Sequence, residues 1–201
     1  MAAQKNKDIR LQVPGGETTV LLHTCCAPCS SAIIEAMMKD GITPVIYYCN
    51  PNIYPLEEYE IRKNECTRYA RSLGLEIVDA DYDHENWLDA VKGLEGEPER
   101  GGRCLRCFKI RLLRTARYAA QRGIRVITTT LASSRWKSLD QINEAGRWAC
   151  QQIVPPDGKV IWWDHNWRKN GLQERRLQII KEYDFYNQLY CGCEFSMRKE
   201  D

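Results

Sequence analysis

Short apolar runs alternate with longer stretches of helical periodicity along most of the chain. Four such runs predict buried strands, because parallel strands that are covered on both faces have nearly continuous apolar sequences. They span residues 19–22, 43–48, 75–78 and 126–130, and a fifth strand is expected over 160–163. Strands that alternate with helices usually form parallel sheets, so the pattern predicts an α/β fold with helices on both faces of the sheet.

The intervening stretches place apolar residues three or four positions apart, which is typical of amphipathic helices. Glycines follow several of them, for example Gly41, Gly74 and Gly123, because glycine readily adopts the backbone conformation that ends a helix. The predicted helices span residues 31–38, 56–73, 85–91, 103–120, 139–149 and 172–184. The last helix follows the final strand and predicts a C-terminal helical extension.

The length and composition favour one domain over two. With 201 residues, 43% of them hydrophobic, the chain can bury one sizeable core, and residues 1–16 are expected to form a flexible N-terminal segment. No apolar run approaches the roughly 20 residues of a membrane span, and the first residues lack the apolar region of a signal peptide. We therefore expect a cytoplasmic protein, where ten cysteines indicate metal or redox chemistry rather than structural disulfides.

The charged residues are unevenly distributed, although the net charge is only +2. Positions 17–99 hold sixteen acidic and six basic residues, whereas positions 100–150 hold twelve basic and two acidic residues. A basic cluster suits a phosphate-rich partner, and we expect tRNA rather than DNA. A solvated helix face explains the charge equally well. The residues expected to contact tRNA are Arg103, Arg106, Lys109, Arg111 and Arg168.

Three cysteines lie at the turn between the first predicted strand and the first predicted helix: Cys25, Cys26 and Cys29. This edge is where α/β sheets place their chemistry. Adjacent cysteines cannot easily bond to each other, because a disulfide needs Cα atoms about 5.5–6 Å apart and neighbouring Cα atoms are about 3.8 Å apart. A metal centre is therefore a natural partner for Cys25 and Cys26.

A second pair of thiols, Cys104 and Cys107, forms a Cys-x-x-Cys motif where a glycine-rich loop meets a helix. Together with Cys25 and Cys26 it supplies four thiolates, the number that binds a 4Fe–4S cluster or a structural zinc ion. Contiguous cysteines suit a cluster better, because a cluster spreads its ligands over separate iron atoms. Zinc remains the alternative.

The C-terminal Cys191-Gly192-Cys193 can close a small, strained disulfide, and strained disulfides have the higher potentials of catalytic bridges. A second metal site or two idle thiols are the alternatives. Cys49, Cys66 and Cys150 lie on a strand end or on helices and are expected to be small core residues. These patterns divide the cysteines into ligands, a redox pair and packing residues.

Three other side chains are candidates for proton transfer or for binding a second metal. His23 ends the first strand next to the cysteines and is a candidate proton source, although a hydrogen-bonded core histidine is an equally good interpretation. Asp81 and Asp83 follow the third strand and could supply a proton or bind a metal. Ordinary turn formation explains the aspartates as well.

Six sequence blocks, in order and spread over nearly the whole chain, resemble the cobalamin-independent epoxyqueuosine reductase family. The blocks are Leu21-Leu22-His23-x-Cys25-Cys26-Ala27-Pro28-Cys29-Ser30, Asn50-Pro51-Asn52-Ile53-x-Pro55-x-x-Glu58-Tyr59, Arg103-Cys104-x-x-Cys107-Phe108-x-x-Arg111-Leu112, Thr129-Thr130-Leu131-x-x-Ser134, Trp167-Arg168-Lys169-x-Gly171 and Gln188-x-Tyr190-Cys191-Gly192-Cys193-x-Phe195-Ser196. The resemblance implies an iron–sulfur enzyme of tRNA modification with a fold like that of the adenine-nucleotide hydrolases.

The resemblance also implies roles for particular cysteines. Cys25, Cys26, Cys104 and Cys107 would hold a 4Fe–4S cluster, and Cys191 and Cys193 would form a redox-active disulfide. An additional iron ion is associated with the family, and its candidate ligands here are Cys29, Asp81 and Asp83. An external electron donor is also expected.

Reduction of an epoxide to an alkene consumes two electrons and two protons and releases water. Asp83 or His23 could protonate the leaving oxygen, and the substrate base could stack on Tyr47, Tyr54 or Trp136. One alternative is a sulfur-handling nucleotide enzyme, such as a tRNA thiolase or a sulfonucleotide reductase. The absence of a Ser-Gly-Gly-x-Asp-Ser phosphate loop argues against the thiolase. Another alternative is a zinc-stabilised RNA-binding module without catalytic activity.

Overall fold

The computed structural model describes residues 10–154 and 158–197. In this part of the chain five parallel strands form one sheet in the order β3-β2-β1-β4-β5. The strands are β1 (Thr19–Thr24), β2 (Thr43–Tyr48), β3 (Ile77–Asp79), β4 (Val126–Thr129) and β5 (Ile161–Trp162). The predicted parallel α/β fold is confirmed, including the short fifth strand.

Helices cover the two faces of the sheet. They are α1 (Ala27–Lys39), α2 (Leu56–Ser72), α3 (His84–Val91), α4 (Gly102–Gln121), α5 (Leu139–Gln151) and α6 (Leu172–Glu182). Helix α1 packs against α2 and α6, whereas α4 packs against α3 and α5. Helix α1 begins earlier than the predicted residue 31, because Pro28 occupies its first turn, where a missing backbone N–H costs nothing.

The order in which successive strands are added to the sheet changes sides between β3 and β4, although all strands remain parallel. Strands β1 to β3 are laid down in one direction, and the chain then returns to the other side of β1 as β4. The register pairs Leu21 with Ile127 and His23 with Thr129, so the two strands end at about the same level. Loops diverge at such a switch point and leave a crevice, which is where α/β folds bind ligands.

The core lies on both sides of β1, the central strand. Val20, Leu21 and Leu22 are fully buried, in agreement with their uninterrupted apolar sequence. Removing one such side chain from water contributes about 1.5–3 kcal/mol. The core also contains Cys49 and Cys66, and the half-buried Cys150 packs against it. The prediction that these three cysteines serve in packing is thereby supported.

The predicted flexible segment 1–16 is only partly described, since residues 1–9 lie outside the described residues. In the remainder, the backbone N–H of Leu11 donates to the Asp40 carboxylate across 2.6 Å, and Pro14–Gly16 forms a single 3₁₀ turn. The assignment of the whole chain to one domain stays a prediction. No helix in the described ranges is long and apolar enough to cross a membrane.

Candidate active site: a cysteine-lined cavity at the switch point

A cavity of about 640 Å³ opens at the switch point, where the loops after β1 and β4 diverge. The first turn of α4 and the C-terminal segment 187–197 complete its walls. Six cysteines from three distant parts of the sequence line it: Cys25, Cys29, Cys104, Cys107, Cys191 and Cys193. The fold thus gathers three of the four predicted cluster ligands and the predicted redox pair around one space. The fourth ligand, Cys26, is buried next to Cys25 and does not line the cavity.

The cysteines after β1 form a compact group. The sulfur atoms of Cys25, Cys26 and Cys29 all lie within 4.8 Å of one another, and those of Cys25 and Cys26 are 3.9 Å apart. Cys26 is the residue at the N-terminus of α1, and Cys29 lies in its first turn. Hydrogen bonds from Cys26 and Cys29 lower the pKa of the Cys25 thiol well below its ordinary value. Burial raises the pKa of Cys26, and the hydrogen bond with Cys25 raises the pKa of Cys29 to about 12, so Cys25 is the first of the three to become the thiolate that binds metals. Three sulfur atoms this close together could hold a metal.

Two polar side chains fix the positions of these sulfur atoms. Thr130 Oγ1 accepts a hydrogen bond from the backbone N–H of Cys25 across 3.2 Å and lies 3.4 Å from its Sγ. Gln188 Nε2 donates to the Sγ of the buried Cys26 across 3.1 Å. The group is therefore tied both to the loop after β4 and to the C-terminal segment.

The Cys-x-x-Cys pair lies in the first turns of α4, on another wall of the cavity. Cys104 is half-buried and its Sγ accepts from the backbone N–H of Arg100 across 3.3 Å. Cys107 is buried in a small cluster with Trp87 and Cys193, and burial raises the pKa of its thiol. The structure therefore supports the predicted placement of Cys104 and Cys107 near the other cysteines.

The loop after β2 and helix α2 anchor the segment that carries Cys191 and Cys193. The backbone N–H of Tyr54 donates to the carbonyl oxygen of Gly192 across 2.9 Å, and Arg62 donates to that of Cys191 across 3.3 Å. Both cysteines are free thiols in the structure. The predicted disulfide between them stays a prediction.

A buried cation lies among the cysteines. The guanidinium of Arg111 donates to the carbonyl oxygen of Cys49 across 3.2 Å, to Oδ1 of Asn50, and, across 3.9 Å, to the Sγ of Cys107. None of these acceptors is a carboxylate. A buried charge that is held by neutral groups is costly, so negative charge on the nearby sulfur atoms would compensate it.

A second cation, Lys137, lines the same cavity. It is half-buried, and its ammonium group interacts with the sulfur of Cys191. Although burial alone lowers the pKa of Lys137, the sulfur groups of Cys191, Cys25 and Cys29 raise it above its ordinary value overall. The cavity thus presents positive charge both to the compact cysteine group after β1 and to Cys191.

His23 is fully buried beneath the cavity. Its Nδ1 lies 2.6 Å from Thr129 Oγ1, and its Nε2 lies 3.0 Å from the carbonyl oxygen of Cys49. Because a carbonyl only accepts, Nε2 carries the proton and Nδ1 accepts from the threonine. Burial, reinforced by the charge of Arg111, lowers the pKa of His23 to about 3. This geometry favours the interpretation as a core histidine, and a role as proton source stays a prediction.

Asp81 and Asp83 follow β3 and lie outside the cavity lining. Strand β2 lies between β3 and β1, so these carboxylates share the edge of the sheet with the cysteines but follow a strand that does not pair with β1. Asp83 precedes α3, where it accepts from Asn86 across 2.6 Å and pairs with Arg114 across 3.7 Å. Their predicted roles in proton transfer or metal binding stay predictions.

Two of the arginines expected to contact tRNA point into the protein. Arg111 is buried as described above, and the buried Arg103 donates to the backbone carbonyls of the loop 94–97. Arg103 also lies over the ring of Phe195, 5.4 Å from its centroid. In the structure both arginines hold the walls of the cavity, and direct contact with tRNA stays a prediction.

The other three residues expected to contact tRNA lie nearer the surface. Arg106 is exposed and donates to the carbonyl oxygen of Ala90, whereas Lys109 forms an ion pair with Glu144 across 2.8 Å. Arg168 donates to the carbonyl oxygen of Lys137 across 2.7 Å. Groups elsewhere in the fold therefore already bind Arg106, Lys109 and Arg168. The role of these residues in RNA binding stays a prediction.

The three aromatic residues that were expected to stack on the substrate base differ in their accessibility from the cavity. Tyr47 is buried and stacks on Tyr118 with ring centroids 4.8 Å apart, so its faces are occupied or covered. Tyr54 is exposed but does not line the cavity. Trp136 is exposed and does line it, so of the three it is the one accessible to a nucleotide bound at the cavity.

Four side chains that contact or orient the cysteines were missed by sequence reasoning. Thr130 and Gln188 lie within the quoted blocks but carry no spacing signal, and Lys137 was counted only as part of a basic run. Arg62 lies in the middle of an ordinary amphipathic helix. Only the tertiary structure shows that its guanidinium faces the C-terminal cysteines.

The fold and the cavity define a cysteine-rich α/β protein with a potential metal site at the switch point. The family model described as epoxyqueuosine reductase QueH matches residues 20–199. Proteins of that name from Haemophilus influenzae and Acinetobacter baylyi are 48% and 45% identical to the chain over 189 and 190 residues. These alignments cover 94% of this chain and 76% and 85% of the relatives. A relative from Thermotoga maritima is 35% identical over 182 residues, which is 89% of this chain and 90% of that protein. The chain belongs to the epoxyqueuosine reductase QueH family.

Proposed function

We propose that this chain is an oxidoreductase that converts epoxyqueuosine to queuosine in the anticodon loop of tRNA. The observation that carries the proposal is the convergence of six cysteines on one cavity in a member of this family. The activity is that of the named relatives, and the cavity supplies the sulfur chemistry that such a reduction requires. We infer that the enzyme acts in the cytoplasm, where thiols are kept reduced.

The cavity residues fit a 4Fe–4S cluster. Cys25, Cys26, Cys104 and Cys107 would hold it, since two ligand pairs from distant parts of the chain suit a cluster better than a single small ion. The buried Arg111 supports this assignment, because its charge would offset the negative charge of thiolate-bound iron and sulfide. When bound, the cluster supplies electron transfer, and a neighbouring iron with an open coordination position would polarise the epoxide oxygen.

The third sulfur of the compact group, that of Cys29, is left over by this assignment. It lies within 4.8 Å of the sulfur atoms of Cys25 and Cys26 and lines the cavity. Cys29 is therefore better placed than Asp81 to be a ligand of an additional iron. The contribution of Asp81 remains a hypothesis that only metal analysis of variants can test.

The dithiol of Cys191 and Cys193 balances the reaction. Oxidation of two thiols to a disulfide releases two electrons and two protons, and conversion of an epoxide to an alkene and water consumes the same number. Lys137 lines the same cavity, and its charge would stabilise the negative charge that develops on Cys191 when this thiol loses its proton. An external electron donor then reduces the disulfide for the next turnover.

The proposal is tested by incubating anaerobically purified protein with epoxyqueuosine-containing tRNA and a chemical reductant. The tRNA is then digested to nucleosides and analysed by mass spectrometry. We expect the loss of one oxygen from the modified nucleoside, without any need for ATP. Failure of the iron-loaded protein to remove the oxygen would contradict the proposal. ATP-dependent incorporation of sulfur would instead favour a thiolase.

A further inference from the structure

Two apolar side chains that line the cavity are strongly exposed. Trp136 is 69% exposed, in the loop between β4 and α5, and Leu189 is 90% exposed, in the C-terminal segment. Exposed residues that also line a cavity must lie at its opening. Their place at the opening of a positively charged cavity makes both side chains candidates for contact with a bound partner.

The backbone around Trp136 is held in place by the wall of the cavity. Arg100 donates to the carbonyl oxygens of Arg135 and Trp136, each across 2.9 Å. The backbone N–H of the same arginine donates to the Sγ of Cys104, and its carbonyl oxygen accepts from Gln141. The indole is thus carried by a loop that is fixed relative to a candidate cluster ligand.

The surroundings of Trp136 suit a negatively charged, planar partner. The guanidinium of Arg135 lies over the indole, 5.8 Å from the ring centroid. Arg100 and Arg176 also line the cavity, against a single carboxylate among its lining residues, Glu99. Single-stranded nucleic acids are held in this way, by bases stacked on aromatic rings and by cations along the backbone.

We propose that the indole of Trp136 stacks on a nucleotide adjacent to the substrate base. The side chain of Leu189 inserts between that nucleotide and the substrate base and keeps the two bases unstacked. The partner is single-stranded RNA in a hairpin loop. This inference rests on the proposed function, because it assigns a contact for the RNA that surrounds the reacting base. Apolar wedges that separate stacked bases are known from other nucleic-acid complexes.

The test measures binding and turnover separately. Fluorescence anisotropy with a fluorescein-labelled RNA hairpin that carries an anticodon-type loop gives the Kd. Since base stacking contributes about 1–3 kcal/mol, Trp136→Ala is expected to raise this Kd by about 5- to 150-fold, and Trp136→Phe to restore most of the affinity. Leu189→Ala is expected to weaken binding less. Leu177→Ala, which removes an exposed leucine from α6 outside the cavity, should change nothing.

Turnover on epoxyqueuosine-containing tRNA provides the second readout. Trp136→Ala should raise KM and leave kcat nearly unchanged, because the indole contacts a neighbouring nucleotide and not the reacting atoms. An unchanged Kd in Trp136→Ala would overturn the inference. A fall in kcat with unchanged Kd would overturn it as well and would indicate a docking site for a protein electron donor. If the wild-type protein binds the hairpin through Trp136 but does not reduce epoxyqueuosine, the inference stands and the proposed function fails.

Discussion

The guanidinium of Arg62 donates a hydrogen bond to the backbone carbonyl oxygen of Cys191 across 3.3 Å, from the interior of the protein. Its other terminal nitrogen donates to the carbonyl oxygen of Tyr190 across 3.2 Å, and its Nε donates to Glu58 across 2.7 Å. Both members of this ion pair are buried. The pair therefore holds the C-terminal cysteines against α2 through backbone contacts.

Replacement of Arg62 distinguishes the contribution of this ion pair to stability from the role of Arg62 in positioning Cys191. Arg62→Leu leaves Glu58 buried without its partner, and we expect it to lower the free energy of unfolding by about 3–5 kcal/mol in urea titrations. The double variant Arg62→Leu/Glu58→Leu should recover most of that loss, because an apolar pair can replace a buried ion pair. Turnover should remain low in the double variant. Full activity there would show that Cys191 needs no such support.

Gly192 permits the close approach of the cysteine segment to its support. Its φ is +108°, and an added Cβ would lie 2.9 Å from Cγ1 of Ile53 and 3.0 Å from Nη1 of Arg62. We expect Gly192→Ala to lower turnover strongly, by displacing both neighbouring cysteines. Gly74→Ala is the matched control, because Gly74 also has a positive φ but an added Cβ meets nothing within 4 Å. Both variants should lose about 1–3 kcal/mol of stability. Equal turnover in the two would refute the argument.

Arg111 is expected to set the charge balance of the metal site. Removing its charge with Arg111→Met should make reduction of a bound cluster less favourable, because reduction adds negative charge beside it. A redox titration of the anaerobic protein should therefore give a more negative midpoint potential. Arg111→Lys retains the charge and should give a smaller shift. Equal midpoint potentials in the wild type and Arg111→Met would show that the charge of Arg111 does not influence the bound cluster.

Cys193 is expected to act in turnover and not in metal binding. Cys193→Ser should retain the full iron content, because the four proposed ligands remain, and should lose most of its activity with tRNA because no disulfide can form. Iron analysis and the nucleoside assay measure the two effects independently. Cys150→Ser is the control, since Cys150 is a half-buried thiol on α5 outside the cavity. Unaltered turnover of Cys193→Ser would end the redox-pair hypothesis.

The alternation of apolar runs and amphipathic stretches was sufficient to predict the sheet and its helices. It was not sufficient to predict which strands are neighbours. The aspartates after β3 were expected at the same edge of the sheet as the cysteines, because all carboxyl ends of a parallel sheet share an edge. The strand order places β2 between them, and strand order depends on contacts that are distant in sequence.

The cysteine motifs located the cavity correctly, since Cys-Cys, Cys-x-x-Cys and Cys-x-Cys all line or adjoin it. The basic residues were less predictable, because charge in a sequence does not reveal which way a side chain points. Arg103 and Arg111 lie in the same helical run as the exposed Arg106, yet both are buried. Their burial depends on carbonyl groups supplied by loops of other parts of the chain.

The most direct test of the central claim is the iron and acid-labile sulfide content of protein purified without oxygen, together with its visible spectrum. We predict about four irons per chain with matching sulfide and a brown chromophore that absorbs at about 400 nm. In Cys107→Ser the cluster should be lost, whereas Cys66→Ala, which removes a buried thiol outside the cavity, should retain it. Stoichiometric zinc without colour, even after anaerobic reconstitution with iron and sulfide, would contradict the claim that these cysteines hold an iron–sulfur cluster.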